Sequence, residues 1–246
     1  MRTAMRTVIE AFSRSGRVTC LLVLLTVSSP CSGQPANVLQ NPGFEDSLVH
    51  WTTDHGTLRT DSPAPHSGAA YLFGASNGSA RSYTWQSVGI DAFLMNETFV
   101  DAGKARIHYG GWQSGWQTQQ DRGKIEVRFL DHEGIQLSLT DLGWFYSNST
   151  WFERRGALSL PVGTRSIVFG FHAERVEGTN TDGYLDDAFL RLCSADLNLD
   201  GAVNSQDFFD FVTAYLATNP DADFNNDSFI NSQDFFDFLN AFFAGC

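Results

Sequence analysis

Asp196, Asn198, Asp200, Asn204 and Asp207 place side-chain oxygens at positions 1, 3, 5, 9 and 12 of a twelve-residue stretch. Gly201 stands at position 6, and the carbonyl of Ala202 is available at position 7. Asp223, Asn225, Asp227, Asn231 and Asp234, with the carbonyl of Phe229, repeat the pattern 27 residues further on. A hard divalent cation that takes several oxygen ligands at once needs such a donor set, so both stretches are expected to hold Ca²⁺. Position 6 requires a sharp turn, which glycine makes without steric cost. The second stretch carries Ser228 there, and its site is expected to be the weaker one.

The helices that position these loops are written in the same repeat. NSQDFFDF recurs letter for letter at 204–211 and 231–238, so a helix is expected to start near Ser205 and again near Ser232. Each loop ends in Asp instead of Glu, and no helix with a start signal precedes either one, which departs from the helix–loop–helix EF-hand. A duplicated loop-then-helix with Asp at position 12 resembles the type I dockerin. The resemblance covers roughly the last fifty residues, 193–246. It implies a small all-α module with two EF-hand-type calcium loops, and a cohesin-like or cell-surface scaffold protein as partner. Dockerins of this type carry partner-contacting residues at loop positions 10 and 11. By that resemblance Ser205, Gln206 and Phe209, then Ser232, Gln233 and Phe236, form two near-equivalent patches. Phe208, Phe211 and Tyr215, with Phe235, Phe238 and Phe242, fall on one stripe at helical spacing and are expected to build the module's core. In a module this small, packing of every Phe is the alternative.

The tail from Cys193 to Cys246 holds nine Asp and no Lys or Arg, so without cations its folded form repels itself. The two cysteines bracket it and are expected to form a disulfide in an oxidising compartment. That compartment is suggested by the N-terminus. Arg2, Arg6, Arg14 and Arg17 lead into the apolar run 18–27, followed by small residues and Pro30, which reads as a signal peptide over residues 1–33. Pro30 directly before Cys31 fits a lipoprotein signal badly. The run is too short to span a bilayer, so a secreted, extracellular or cell-surface protein is expected. Losing residues 1–33 removes four Arg and one Glu and takes the formal charge from −12 to −15, which disfavours nucleic acid and anionic lipid as partners.

Residues 37–192 alternate apolar and polar side chains in short runs separated by Gly, Asn, Asp and Pro, the pattern of a β-sandwich. Eight strands are predicted, at 69–73, 82–88, 105–109, 124–129, 136–139, 152–158, 166–171 and 183–192. The opening NVLQNPGFEDSLVHW (37–51), the closing DGYLDDAFLRL (182–192), and the middle stretches GGWQSGWQTQQDRGKIEVRFLD and LPVGTRSIVFGF resemble galactose-binding-like jelly rolls. That group includes carbohydrate-binding modules of secreted glycosidases. The fold expected is therefore mostly β, a two-sheet jelly-roll sandwich followed by the small helical module. The resemblance also implies that the first and last strands lie side by side around a structural calcium held by Glu45 with Asp186 or Asp187. A solvent-facing turn is the other reading of that Asp pair.

Among the aromatic residues, Trp51 and Trp85 are expected in the core. Trp112 and Trp116 lie in a Gly/Gln/Ser-rich stretch expected to be a loop, and Trp144, Tyr146 and Trp151 form a second cluster. A pyranose offers an apolar face and a rim of hydroxyls, so Trp112, Trp116, Trp144 and Tyr146 are candidates for polysaccharide binding. No metalloprotease helix, nucleophile elbow, phosphate loop or CxxC pair is present, and the six His lack ligand spacing. Glu126, Asp131, Glu133 and Asp141 are the carboxylates that a glycosidase pair would draw on. Three classes follow. They are a non-catalytic glycan- or surface-binding protein tethered by its tail and associated with polysaccharide breakdown, a small hydrolase or lyase with the same tether, and a structural cell-surface protein. Sequons stand at Asn77, Asn96 and Asn148.

Overall fold

The computed structural model describes residues 35–76 and 78–246. The expected signal segment 1–33 and the sequon Asn77 lie outside the described residues.

Ten strands are present: β1 Thr52–Thr53, β2 Thr57–Arg59, β3 Tyr71–Ala75, β4 Arg81–Gly89, β5 Arg106–Ser114, β6 Arg122–Leu130, β7 Gln136–Asp141, β8 Phe152–Ser159, β9 Ser166–Glu174 and β10 Thr181–Leu192. They form two antiparallel five-stranded sheets, in the orders β1-β4-β9-β6-β7 and β2-β3-β10-β5-β8. The eight predicted strands are all there. β1 and β2 are additional, and too short to show an alternating pattern.

Alternation decides which side of each strand is buried. In β6 and β9, Ile125, Val127 and Phe129 face Ile167, Phe169 and Phe171 in the same layer, all buried. Ile107, Tyr109, Leu185 and Leu190 close the core from the second sheet. Trp51 is buried among them, with its ring 5.1 Å from that of Phe44 and 6.0 Å from that of Phe169.

The last strand departs from regular pairing. Its register against β5 shifts between Asp186 and Phe189, and Asp187 adopts a left-handed φ of 43°, which Asp tolerates better than most residues. The opening segment fills the resulting gap. Asn37 donates through Nδ2 to Ala188 O and accepts from Leu190 N, while Val38 N donates to Leu190 O. The two ends of the sandwich sequence therefore lie side by side.

Beyond β10, helices α2 (Ser205–Leu216) and α3 (Ser232–Ala244) follow the two oxygen-rich loops; the short helix α1, Glu97–Asp101, lies between β4 and β5. Asn204 and Asn231 are the N-caps of α2 and α3 at nearly the same backbone angles, and each forms a capping box with Asp207 or Asp234. Phe211 and Phe238 are fully buried at the centre of the pair, with Phe208, Tyr215, Phe235 and Phe242 packed against them. Cys193 and Cys246 form a disulfide with Cα atoms 5.5 Å apart. Among the described residues no helix is long and apolar enough to cross a membrane.

Candidate functional site

β4 turns its small side inward. Ser82, Thr84, Gln86 and Val88 are buried, so Tyr83 and Trp85 stand on the outer face of the first sheet. The inward polar groups are satisfied: Thr84 Oγ1 bonds Thr53 Oγ1 at 2.8 Å, and Gln86 exchanges hydrogen bonds with the backbone of Gln40. Trp85 was expected in the core, and this inward polar row is what places it outside. The rings of Tyr83 and Trp85 stack at 4.9 Å and 14°, and Tyr83 stacks on His172 of β9 at 4.3 Å and 27°. Gly170 makes this possible, because a Cβ there would lie 2.4 Å from Tyr83 Oη.

Register extends the face across the sheet. Tyr83, His172 and Lys124 share one row, and Trp85, Gly170, Glu126 and Asp141 share the next. Trp144, 41% exposed, lies beside this face with Arg122 4.9 Å and Lys124 5.3 Å from its ring centroid. Four strands at the usual spacing span about 14 Å.

The charges on this face are paired. Glu126 is buried, with Oε2 2.8 Å from His172 Nε2 and Oε1 accepting from Arg128 Nε at 2.8 Å. Burial alone would raise its pKa, but the hydrogen bonds from His172 and Arg128 prevail and bring it down to about 2. Lys124 donates to Asp141 at 2.9 Å and lowers that carboxyl too. Arg122, with Arg81, lowers Glu174 in the same way. Glu126 and Asp141 are cross-strand partners, as a glycosidase pair could be, yet neither can hold the proton that a general acid must donate near neutral pH. Asp131 caps its own turn, accepting from Glu133 N and Ile135 N, and Glu133 is exposed.

The other predicted aromatics separate. Trp112 lies within β5, not in a loop, because Gly110 and Gly111 are strand residues whose missing Cβ atoms leave room for Arg154 O, Phe189 and Leu185. His66 covers one face of Trp112, with centroids 3.7 Å apart and planes 15° apart. With Glu153, Asp187 and Phe189, Trp112 lines a groove of about 390 Å³ on the second sheet. Trp116 is half-buried against Tyr71, Phe73 and Tyr184, with Arg59 5.3 Å from its ring. Tyr146 is 57% exposed. Among the described residues no ring-to-ring contact joins Trp112 or Trp116 to Trp144 or Tyr146, although Gln117 N donates to Ser149 Oγ. The residues that complete the outer face, Tyr83, Trp85, His172 and Arg128, escaped the sequence reading. Their signal was the polar alternate row of β4.

Glu45, Asp186 and Asp187 do converge, on the segment 66–70. Glu45 accepts from Ala69 N and Ala70 N; Asp186 accepts from His66 N, Ser67 N and Asp187 N; Asp187 meets His66 Nδ1 at 2.6 Å and accepts from Ser67 Oγ. Burial, with Asp187 beside it, pushes the Asp186 carboxyl up to about 7. Every one of these oxygens has a protein donor, so the cluster acts as a clamp on that segment.

The first loop differs at one oxygen. Asp196 is fully buried; its Oδ2 accepts from Gly201 N and its Oδ1 has no hydrogen-bond partner. A buried carboxylate oxygen without a donor is costly and suits a cation. In the second loop Asp223 accepts from Asp227 N and Ser228 N, and Asp234 accepts from Asn231 N and Asn225 N. Asp207 likewise accepts from Leu197 N and Asn204 N. Asn198 Oδ1 and Asn225 Oδ1 each accept from the N–H two residues on, and so do Asp200 and Asp227. The carbonyls of Ala202 and Phe229 face the Nδ2 groups of Asn204 and Asn231. Among the described residues, the one set of three His, Cys or carboxylate ligand atoms within 4.8 Å of one another is His108, Cys193 and Cys246, whose sulfurs are in the disulfide. Ser205, Gln206, Ser232 and Gln233 are exposed, as are Phe209 at 62% and Phe236 at 57%.

No protein-family model and no curated protein matches the chain. Among solved structures it is similar to the enzymatically active domain of bacteriophage CBA120 tailspike protein 4, at 13% identity and a TM-score of 0.47, covering 63% of this chain and 21% of that one. It is also similar to TmCBM61, solved with β-1,4-galactotriose, at 20% identity, a TM-score of 0.44, and 64% and 99% coverage. The xylan-binding CBM22-1 domain from Paenibacillus barcinonensis follows at 14%, 0.45, and 65% and 96%. The chain thus spans about one fifth of the tailspike domain's length. Likeness at this level says nothing of what this chain binds.

Proposed function

We propose that the protein is a non-catalytic glycan-binding protein that holds a polysaccharide on the outer face of its first sheet. The observation that carries the reading is the stack Trp85–Tyr83–His172, continued by Lys124, Asp141 and Trp144. Tyr83, stacked between Trp85 and His172, fixes their orientation, so the free face of Trp85 and the exposed Trp144 take the apolar side of a sugar while ion-paired groups beside them take its hydroxyls. The depressed acids Glu126 and Asp141 favour binding over hydrolysis.

The tail, in this reading, binds two Ca²⁺ ions through Asp196, Asn198, Asp200, Ala202, Asn204 and Asp207, and through Asp223, Asn225, Asp227, Phe229, Asn231 and Asp234. The orphaned Asp196 Oδ1 supports it for the first loop. The ions neutralise a segment that has only carboxylates, and the patches around Phe209 and Phe236 tether the protein, outside the cell, to a cohesin-like or cell-surface scaffold.

The test is a polysaccharide array probed with the full chain, run beside a reducing-sugar release assay. Binding lost in both Trp85→Ala and Trp144→Ala, with no sugar release, is expected. Binding that survives both substitutions refutes the face, and release of sugar that depends on Glu126 restores the hydrolase.

A further inference from the structure

The strand that meets the tail carries a nitrogen-bearing side chain at every second residue. Lys104, Arg106 and His108 lie on one side of the chain entering β5, while Ala105 and Ile107 point into the core. Opposite them is a tail with nine Asp and no Lys or Arg. Two of these side chains reach the first-position aspartates of the two loops, His108 as a ring N–H donor and Lys104 as an ammonium.

His108 Nε2 stands 2.6 Å from Asp196 Oδ2, a separation that needs a proton between them, and both groups are buried. The contact pins the carboxylate and leaves its other oxygen, Oδ1, without a partner. Lys104 instead places its ammonium on the carbonyls of Pro220 and Asp223, 3.7 Å from Asp223 Oδ2. A fixed positive charge there opposes a second cation on the same carboxylate. The turn residue adds to the contrast. Gly201 takes φ +86° freely, whereas Ser228 is held at φ +72°.

We propose that the sandwich sets the affinities of the two loops apart: His108 positions Asp196 for a tight first site, and Lys104 competes with the ion at Asp223, leaving a weak second site. This rests on the reading that the loops bind calcium. It makes His108 and Lys104 positioning residues, supplied by one part of the chain to the metal loops of another.

The test is calorimetric titration of Ca²⁺ into the chelator-treated full chain. Wild type is expected to show two sites about tenfold or more apart, with the tighter lost in Asp196→Asn and the weaker in Asp223→Asn. His108→Ala should weaken the tight site by about 10- to 100-fold, the usual cost of removing an outer partner of a ligand. His108→Gln, which keeps a donor, should recover part of that loss. Lys104→Met, a half-buried change that keeps the stem, should tighten the weak site by roughly tenfold while leaving the tight one alone. Two equal sites, or sites that neither Lys104→Met nor the His108 variants shift, overturn the inference while the calcium reading stands. No binding at all by wild type removes both.

Discussion

Phe211 and Phe238, the same residue in the two repeats, lie face to face with ring centroids 4.1 Å apart and planes 3° from parallel. Both are fully buried, and the rings of Phe208, Phe224, Phe235, Phe242 and Tyr215 approach them from around the pair. Phe211→Ala should therefore cost about 3–5 kcal/mol of tail stability. Phe209→Ser, on the exposed side of the same helix, should change it by less than about 0.5 kcal/mol. Thermal denaturation followed by helical circular dichroism separates the two. Equal losses would mean that Phe209 is packed.

The exposed pair carries its own prediction. Gln206 bonds Asp210 and Gln233 bonds Asp237 in matching geometry, so the two patches present the same groups. In a calcium-dependent pull-down, Phe209→Ser or Phe236→Ser alone should keep the partner, and the double change should lose it. Retention by the double variant removes both patches from partner binding.

Glu126 links the outer face of the first sheet to acid stability. Its carboxyl is depressed from 4.5 to about 2, so its contribution is full above about pH 4.5 and is lost as pH falls toward 2. The shift corresponds to about 3 kcal/mol. Glu126→Gln should lower the melting temperature at pH 7 and flatten its decline between pH 4.5 and 2. A variant curve parallel to wild type throughout that window would show that Glu126 is not the group responsible.

The disulfide closes a loop of 53 residues. In the chain-entropy model that is worth about 4 kcal/mol, so the Cys193→Ser, Cys246→Ser double variant should unfold its tail at markedly lower urea concentration. An unchanged midpoint for the helical signal would show that the loops and the Phe pair suffice.

Legibility in the sequence followed the physics of each element. Long strands such as β6 and β9 have one apolar face, opposite a charged row in β6 and a mixed row of Ser, Val, Gly, His and Glu in β9, so their alternation gives both position and orientation. The repeats were readable because position 9 of each loop is also the N-cap and position 12 is also the third helical residue. Trp85 was misread because the larger apolar side chain was assigned to the core. At that edge the inner neighbour is the irregular opening segment, whose backbone needs the hydrogen bonds of Gln86. Trp112 was misread because paired glycines suggest a loop, where here they let Phe189 and a neighbouring strand approach closely. The alternating Lys104, Arg106 and His108 became meaningful only once the cation-free tail was placed against them.

β10 is hydrogen-bonded on one edge to β3 and on the other to β5, and its last residue leads directly into Cys193. Because Cys193 is bonded to Cys246, a pull applied to the tail reaches this central strand whether or not α2 and α3 stay folded. The load is then shared as shear across two ladders, the geometry in which many hydrogen bonds must break together. On the proposed reading, a tail that melts when calcium is withdrawn would release its partner while the disulfide still ties its end to β10.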